Sequence, residues 1–417
     1  MRARAEPFGA WVRVDDGSLA AIGRETARRL GVDGGSLWSD ETSPRDAVPP
    51  AARPPLEVHV AVTARCGAGC AGCYVDARPD GEAPPFEVLR DRLRAVADAG
   101  VFTVAFGGGE PLTRPDLAAL GELARDLGLT PVVTTSGIGM TRERVRSLTA
   151  FAQVNVSYDG AAGDYAAVRG YEGAATAERA MGWLAEAGVP FGVNVVLTRA
   201  TFSALERTIA RASSLGAREA QLLRYKPAGR ARSASYLDAR LDPTQIAALL
   251  PTLRGVAERH AIALRVDCAL VPLLSTEELD PALLTRFGVF GCEAGRHLSA
   301  ARVDGTIAPC SFGPSAEIDV HDALRDGALT SETLEAWRAP PDAEPCRSCS
   351  LRDICRGGCR VVTEHLESRL GPDPECPRVR AHRAALRGTT IPDELDAPDD
   401  ARSPPGAPHQ EALVAAR

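Results

Sequence analysis

The sequence is poor in lysine, in aromatic residues and in long apolar runs. Lys226 is its only lysine, and aromatic residues make up 5% of the 417 positions. The net charge of -7 comes without a basic block or a basic stripe interleaved with aromatic residues, so we expect no nucleic-acid partner. No apolar run reaches the ~18 residues that a membrane span requires, and no apolar stretch follows Met1–Pro7, so neither a membrane partner nor a signal peptide is expected.

Cysteine is also scarce, with 11 residues, an odd number far below the density of a disulfide-stapled secreted domain. We therefore expect a cytoplasmic protein whose thiolates bind metal. Eight of the cysteines form two ordered groups, Cys66, Cys70 and Cys73 near the start and Cys346, Cys349, Cys355, Cys359 and Cys376 near the end.

The first group has the spacing C-x3-C-x2-C and lies in a Gly-rich loop directly after a predicted strand. Three thiolates without a fourth predict an iron–sulfur cluster that keeps one iron open. Zinc is the alternative, although structural zinc sites usually have four protein ligands and no fourth Cys or His stands near this triplet.

Short apolar strands alternate six times with amphipathic helices, which predicts an α/β fold with a parallel sheet. The strands are predicted at 56–62, 101–106, 131–135, 153–157, 191–197 and 220–225, and the helices at 86–99, 114–127, 142–151, 174–187, 202–215 and 243–260. Periodicity alone leaves open a doubly wound sheet and a partly closed barrel. In either fold, ligands bind where the strands end and the loops begin.

Two flanking segments differ from this core. Residues 1–50 form an amino-terminal extension with a predicted hairpin around Asp16 and Gly17, followed by a Pro- and Ala-rich linker at 47–55. The extension either covers one end of a barrel or docks a substrate. Residues 388–417 are rich in Pro, Asp and Ala and are predicted to be a disordered tail.

A second motif, Gly107-Gly108-Gly109-Glu110, follows the second predicted strand. Glycines at a strand end let the backbone approach a ligand closely, and the adjacent carboxylate can pair with an ammonium group. Alone, this motif is weak, because Gly-rich turns are common.

Together, the two motifs resemble those of the radical SAM superfamily, whose core is a partial (β/α)6 TIM-type barrel. The resemblance implies a core over 56–265, in which Cys66, Cys70 and Cys73 hold a 4Fe-4S cluster. The open iron would bind S-adenosylmethionine, and Gly107, Gly108, Gly109 and Glu110 would bind its ammonium group. The sequence departs from the family at Gly72, where an adenine-contacting aromatic residue is common; Tyr74 or a strand-end residue would make that contact instead.

The same resemblance implies further cofactor contacts at strand ends. They are Ser136, Ser157, Asp159, Arg169 and Asn194, with Arg169 as a partner for the methionyl carboxylate. For each of these residues, a role in capping a loop is the alternative.

The carboxyl-terminal cysteines resemble the SPASM extension, a small iron–sulfur domain predicted here at 266–387 that holds two auxiliary 4Fe-4S clusters. By the family's interleaved ligation, one cluster takes Cys292, Cys310 and Cys359, and the other takes Cys346, Cys349, Cys355 and Cys376. Cys268 either completes the first auxiliary cluster or is a buried free thiol. The expected cofactors are thus three 4Fe-4S clusters and S-adenosylmethionine.

The predicted function is radical oxidation of a ribosomally made peptide, with a low-potential donor such as flavodoxin or ferredoxin supplying electrons. Enzymes of small-molecule or cofactor biosynthesis and a noncatalytic electron carrier are the alternatives.

Lys226 lies near the predicted barrel mouth, either because an amine is needed there or by chance retention at a surface. Sulfatase-maturing relatives have an Asp after the equivalent of Cys310, so Ser311 argues against that activity.

Overall fold

The computed structural model describes residues 2–14, 18–38, 53–233, 235–276, 278–286, 288–325 and 331–388. The amino-terminal part consists of strands β1 (Arg2–Glu6), β2 (Gly9–Arg13) and β3 (Leu19–Gly23), helix α1 (Arg24–Arg29) and a 3-10 turn at Gly35–Trp38. Strands β2 and β3 pair antiparallel, as the predicted hairpin requires. The Asp16-Gly17 turn, most of the linker and the tail after Gly388 lie outside the described residues.

The central part alternates strands and helices. Its elements are β4 (Glu57–Thr63), α2 (Phe86–Asp98), β5 (Thr103–Gly108), α3 (Leu117–Asp126), β6 (Thr130–Thr135), α4 (Arg142–Ser147), β7 (Gln153–Ser157), α5 (Ala162–Arg169), α6 (Ala174–Glu186), β8 (Phe191–Leu197), α7 (Leu205–Ser214), β9 (Glu219–Arg224), α8 (Ser235–Ala239), α9 (Pro243–Arg259) and β10 (Ala263–Val266). The carboxyl-terminal part contains α10 (Pro281–Arg286), β11 (Leu298–Ala301), β12 (Ile307–Ala308), α11 (Val320–Arg325), α12 (Glu332–Arg338), α13 (Arg352–Cys355), α14 (Arg360–Glu367) and α15 (Pro377–Arg387). Single 3-10 turns occur at Pro111–Thr113, Leu148–Ala150, Phe202–Ala204, Gly229–Ala231 and Cys268–Leu274.

Strands β4 to β10 are parallel and lie side by side in chain order, β11 adds parallel to β4, and β12 pairs antiparallel with β11. A doubly wound sheet would reverse its strand order at a switch point, whereas successive steps in one direction curl a sheet toward a barrel. Arg265 on β10 and Glu57 on β4 come close enough for their charges to interact, although six strand pairings separate them. The predicted partial barrel is therefore confirmed.

The six predicted strands are β4 to β9, and each begins and ends within two residues of its predicted bounds. Helix α3 begins later than predicted, at Leu117, because Pro115 disfavours a helical conformation of Arg114, whose backbone is extended. The prediction did not include β10, which has only 4 residues, or β11, whose pairing with β4 joins residues far apart in the chain.

The amino-terminal sheet covers the amino ends of the parallel strands. Arg2 donates hydrogen bonds to the carbonyl oxygens of Gly128 (3.0 Å) and Ala97 (2.6 Å), and Arg4 donates one to that of Gly100 (3.2 Å). These carbonyls lie where α2 and α3 end, just before β5 and β6. This sheet is thus on the opposite end of the barrel from the predicted site.

The barrel core continues into the carboxyl-terminal part. Leu270, Leu273, Ile307 and Val320 belong to the same buried apolar cluster as the barrel strands. A separate small cluster, which includes Tyr236, Trp337 and Val362, packs against Cys292 and Cys310. The apolar core of the barrel therefore extends past residue 266. Among the described helices, none combines the length and apolar character needed to cross a membrane.

Candidate active site

The loop of Cys66, Cys70 and Cys73 follows β4 at the carboxyl end of the barrel. Its backbone is held by other parts of the chain. Cys66 donates its N–H to the Arg78 carbonyl (2.8 Å), and the Arg230 side chain and backbone N–H donate to the carbonyls of Cys70 and Cys73, both at 2.9 Å. All three thiols are free and partly exposed, so the loop presents them at the barrel mouth.

These thiols share one electrostatic environment. Burial raises the pKa of Cys66, the charges of Glu110, Cys70 and Cys73 raise it further, and the N–H of Ala68 opposes them with a hydrogen bond to Sγ at 3.5 Å. A second such bond runs from Ala77 N–H to the sulfur of Cys73 (3.4 Å). Backbone N–H groups directed at sulfur tune the potential of iron–sulfur clusters, so this loop suits such a group.

The glycine motif owes two of its glycines to close backbone packing. Gly109 donates its N–H to the Thr63 carbonyl (2.6 Å), and a Cβ on Gly109 would lie 2.2 Å from the Arg65 carbonyl oxygen. Gly108 has a φ of +104°, and a Cβ there would meet the Thr63 oxygen at 2.3 Å. At Gly107 the nearest atom to an added Cβ would be the Tyr74 hydroxyl, at 3.9 Å. Of the three glycines, Gly107 is the one with open space beside it.

Glu110 is buried and its carboxylate is fully hydrogen-bonded within the protein. Oε1 accepts from Leu112 N–H (3.0 Å) and Thr135 Oγ1 (2.7 Å), and Oε2 accepts from the N–H (2.8 Å) and hydroxyl (2.5 Å) of Ser136. Burial raises the pKa of Glu110, while these four donors lower it in part. The predicted ammonium partner thus also ties the end of β5 to the end of β6, with Ser136 as its partner.

Asp159 and Arg169 form a buried ion pair after β7. The Asp159 carboxylate accepts from Arg169 Nε (2.6 Å) and from Val196 N–H (2.7 Å), and it is inaccessible to solvent. The Arg169 carbonyl accepts the N–H of Ala71, which attaches this pair to the cysteine loop (3.0 Å). The structure therefore puts Arg169 beside the cluster loop, while Asp159 orients it.

Ser157 and Asn194 are neighbours in the register of β7 and β8. Among the described residues, Asn194 Oδ1 is buried and has no hydrogen-bond partner. A buried amide oxygen without a donor costs free energy unless a ligand or water supplies one. Of the predicted cofactor contacts, Asn194 is therefore the one whose buried side-chain oxygen lacks a hydrogen-bond donor.

Tyr225 lies beside Gly72, the position where the family often has an aromatic residue. A Cβ on Gly72 would lie 2.8 Å from the Tyr225 hydroxyl, so a larger residue would displace this ring. Tyr74 instead stacks on Phe312, with ring centroids 4.5 Å apart. Tyr74 and a strand-end residue are the two candidates for the adenine contact. The strand-end residue Tyr225 is the one that fills the space next to Gly72.

Four further thiols lie together beside Lys226, and the charge of this lysine acts on three of them, Cys268, Cys310 and Cys359. Burial, together with the charges of Cys292 and Cys359, raises the pKa of Cys310 to about 12, although the Lys226 ammonium lowers it in part. The pKa of Cys268 is raised by burial and by Cys292 and Cys359, and is again lowered by Lys226. Thiols whose pKa is raised in this way become thiolates beside positive charge, which bound iron would supply. Cys268 thus lies with Cys292, Cys310 and Cys359.

Lys226 is buried, so chance retention at a surface is wrong. Its ammonium pairs with the Asp267 carboxylate and lies 4.5 Å from the centroid of the Phe312 ring. Because Phe312 also stacks on Tyr74, a packed column of side chains joins the loop of Cys73 to the thiols around Lys226.

The remaining four cysteines line one cavity of about 400 Å³, part of it open to solvent: Cys346, Cys349, Cys355 and Cys376. Arg378 donates to the sulfur of Cys349 (3.2 Å), and the Ser275 hydroxyl lies 3.5 Å from that of Cys376. Burial raises the pKa of Cys346 to about 11. Four thiols around one cavity, with the Arg378 guanidinium donating to one of them, fit an anionic iron–sulfur cluster.

These thiol groups differ from a single-ion site. Among the residues that the structure describes, no three His, Cys, Asp or Glu side chains converge on a position for one metal ion. The thiolates of a 4Fe-4S cluster bind separate irons, so they surround a volume rather than a point. Whether these thiol groups fit 4Fe-4S clusters is therefore judged from how the thiols are grouped and how far they are buried.

A buried ion network connects β9 to both carboxyl-terminal thiol groups, and sequence reasoning missed it. Arg224 donates to both oxygens of Asp373 (2.6 and 3.1 Å) and to Glu375 (2.6 Å). Asp373 also accepts the N–H of Cys359 (3.0 Å). No local pattern indicates these pairs, because about 150 residues separate the partners.

Comparison with known proteins gives the following matches. The family model described as the radical SAM superfamily matches residues 60–212. Mycofactocin maturase MftC of Mycobacterium ulcerans is 31% identical over 333 residues, which cover 76% of this chain and 86% of that protein. PqqA peptide cyclase of Ruegeria pomeroyi is 28% identical over 344 residues, covering 79% and 88%. Among solved structures, Streptococcus suis SuiB bound to S-adenosylmethionine has the same fold, with a TM-score of 0.67, 18% identity and coverage of 90% and 98%.

Proposed function

Because the chain belongs to the radical SAM superfamily, we propose that it uses a 5′-deoxyadenosyl radical to oxidise a side chain of a ribosomally made peptide. The product would be a thioether, a carbon–carbon crosslink or a similar oxidised side chain. One observation carries the proposal: three separate groups of thiols occur in a chain whose relatives are named as a mycofactocin maturase and a PqqA peptide cyclase. Family membership also makes the chain an enzyme, which excludes the electron carrier.

Superfamily membership implies a 4Fe-4S cluster and S-adenosylmethionine. We assign Cys66, Cys70 and Cys73 as the ligands of that cluster. We assign the two auxiliary clusters to the other thiol groups, Cys268 with Cys292, Cys310 and Cys359, and Cys346 with Cys349, Cys355 and Cys376. When bound, the first cluster supplies the electron that cleaves the sulfonium, and S-adenosylmethionine supplies the radical.

Residues at the strand ends would orient S-adenosylmethionine. Gly107 leaves open space for the backbone to meet the methionyl group, and Glu110 holds the neighbouring strand ends in place. Arg169 would pair with the carboxylate, because Asp159 binds only its Nε. Asn194 Oδ1 would accept a hydrogen bond from a ligand hydroxyl, which would satisfy its buried oxygen.

Gly107→Ala is expected to weaken S-adenosylmethionine binding while leaving the fold intact. The added methyl meets only the Tyr74 hydroxyl in the protein but fills the space assigned to the ligand. Overpacking of this kind costs about 1–3 kcal/mol, which corresponds to roughly 5- to 160-fold in affinity. Equilibrium binding and thermal unfolding of the anaerobic protein would measure both effects.

Two further variants serve as comparisons. Gly109→Ala should destabilise the protein, because its Cβ would overlap the Arg65 carbonyl. Gly182→Ala, inside α6 with open space beside it, should leave binding unchanged and raise stability by about 0.5–1 kcal/mol, because Ala favours a helix interior over Gly. Equal binding by Gly107→Ala and the unmodified protein would contradict the assignment.

Lys226 and the column of Tyr74 and Phe312 lie between the first thiol loop and the first auxiliary group. The buried ammonium would offset the negative charge of a thiolate-bound cluster and favour its reduced form. The external electron would come from a low-potential donor such as flavodoxin or ferredoxin.

The test begins with a search for a short open reading frame beside this gene. The protein, reconstituted anaerobically with iron and sulfide, is then supplied with S-adenosylmethionine, dithionite and the peptide that this reading frame encodes. Mass spectrometry should find the peptide lighter by a pair of hydrogens, together with 5′-deoxyadenosine. A peptide of the same composition in scrambled order is the control. Release of 5′-deoxyadenosine with both peptides unchanged would contradict peptide modification and favour a small-molecule substrate.

A further inference from the structure

A line of three hydrogen-bonded side chains connects β4 to the loop after β12. His59 Nδ1 lies 2.6 Å from Ser311 Oγ, and His59 Nε2 lies 2.8 Å from Glu57 Oε1. The side chains of His59 and Glu57 are 34% and 40% exposed, so the line is accessible. The cofactor contacts assigned above use none of these residues.

The line lies on the concave face of the barrel. Along β4, Val58 and Val60 are buried against the helices, so the alternating residues Glu57 and His59 face the opposite side. Ser311 follows Cys310 and precedes Phe312, the ring that packs against Tyr74. The Ser311 hydroxyl therefore lies between the barrel interior and the thiols around Lys226.

The hydrogen bonds define the direction in which a proton can move. Burial tends to raise the pKa of Glu57, but the hydrogen bond that His59 donates and the charge of Arg265 lower it below its ordinary value. An ionised carboxylate only accepts, so in the neutral imidazole of His59 the hydrogen is on Nε2 and Nδ1 has a free lone pair. The Ser311 hydroxyl then donates to Nδ1, as in an array that removes a proton from a group bound near Ser311.

We propose that Ser311, His59 and Glu57 form a relay that accepts the proton released when the peptide is oxidised, an inference that rests on the proposed function. Transfer of a hydrogen atom breaks a substrate C–H bond and forms 5′-deoxyadenosine. The substrate radical then loses one electron, accepted by an oxidised iron–sulfur cluster, and its bond-forming partner group loses one proton. Ser311 Oγ accepts that proton as its own passes to His59 Nδ1, which leaves imidazolium beside the Glu57 carboxylate.

The relay can be tested separately from hydrogen abstraction. The unmodified protein and three variants, Ser311→Ala, His59→Gln and Glu57→Gln, are each reconstituted. Each is supplied with the same peptide as in the test of the proposed function, deuterated at its carbon-bound positions. Deuterium in 5′-deoxyadenosine reports hydrogen abstraction, and oxidised peptide per 5′-deoxyadenosine reports the steps after it. Thr103→Val, opposite Glu57 on β5, is the matched control on the same face.

The variants are expected to keep deuterium transfer while oxidised peptide per 5′-deoxyadenosine falls about 100-fold, the lower end of general acid–base contributions. Ser311 is next to an assigned ligand, Cys310, so Ser311→Ala could lose iron. In that case the result for Glu57→Gln tests the relay. An unchanged ratio in His59→Gln and Glu57→Gln would overturn the relay, and so would loss of deuterium transfer in these variants, because the residues would then position the substrate. Absence of deuterium transfer in the unmodified protein would instead refute the proposed function.

Discussion

Replacing Cys66, Cys70 and Cys73 together by Ala is expected to abolish the release of 5′-deoxyadenosine after dithionite reduction. The three thiols lie together at the barrel mouth and are the proposed ligands of the cluster that reduces the sulfonium. Removing a hydrogen-bond partner of a metal ligand typically lowers activity ~10–100-fold. The loss of activity here should be larger, because the ligands themselves are removed. Iron analysis should fall from about twelve to about eight atoms per chain, the difference of one 4Fe-4S cluster among three.

The matched control removes a different cluster. Ala at Cys346, Cys349 and Cys355 should also lower the iron content by about four atoms per chain but leave uncoupled 5′-deoxyadenosine release in place. Since Cys66, Cys70 and Cys73 are partly exposed, their replacement should not alter the far-UV circular dichroism spectrum. Release of 5′-deoxyadenosine at the unmodified rate by the first variant would refute the ligand assignment.

Arg224→Met is expected to produce the largest loss of stability of any single change considered. The Arg224 side chain is 4% exposed and pairs with Asp373 and Glu375, whose side chains are 0% and 4% exposed; Glu375 also pairs with Arg240, so Asp373 is the carboxylate that would lose its cation. Removing one partner of a buried ion network leaves uncompensated charge and costs about 3–5 kcal/mol. The same change should lower iron occupancy, because Asp373 also holds the backbone of Cys359 and lies in the segment that leads to Cys376.

The measurement is the apparent urea midpoint of anaerobically purified protein, followed by circular dichroism, together with iron per chain. Arg259→Met is the control, since Arg259 pairs with Glu206 at the surface, where both side chains are about half exposed. Exposed pairs contribute little, so this variant should keep both midpoint and iron. If the two variants unfold at the same urea concentration, the buried network does not stabilise the carboxyl-terminal part.

The sequence predicted the barrel well because its signals are local. In β4 the alternation of buried Val58, Val60 and Val62 with more exposed residues is visible from residue types alone. Helix α9 begins at a capping box of Asp242 and Gln245 with Pro243 at its first position, all within one turn. The strand β11 lacked such a signal, because its 4 residues are strand-forming only through their pairing with β4.

The predicted site residues differ in how far their local surroundings define them. Cysteine spacing identifies the first thiol loop, since three ligands within eight positions can surround one cluster. The role of Glu110 in joining β5 to β6 could not be predicted, because its donors Thr135 and Ser136 come from the next strand. Tyr225 beside Gly72 likewise depends on two loops that meet only at the barrel mouth.

By itself, the sequence determined the order of strands and helices, the chemistry of the thiol groups and the resemblance to the superfamily, because periodicity and spacing are properties of neighbouring residues. Only the tertiary structure decided that Lys226 is buried beside thiols of the carboxyl-terminal part, that Arg224 pairs with both Asp373 and Glu375, and that His59 joins Glu57 to Ser311. Burial and ion pairing depend on which distant segments the folded chain brings together. Local sequence patterns do not indicate those contacts, because they depend only on neighbouring residues.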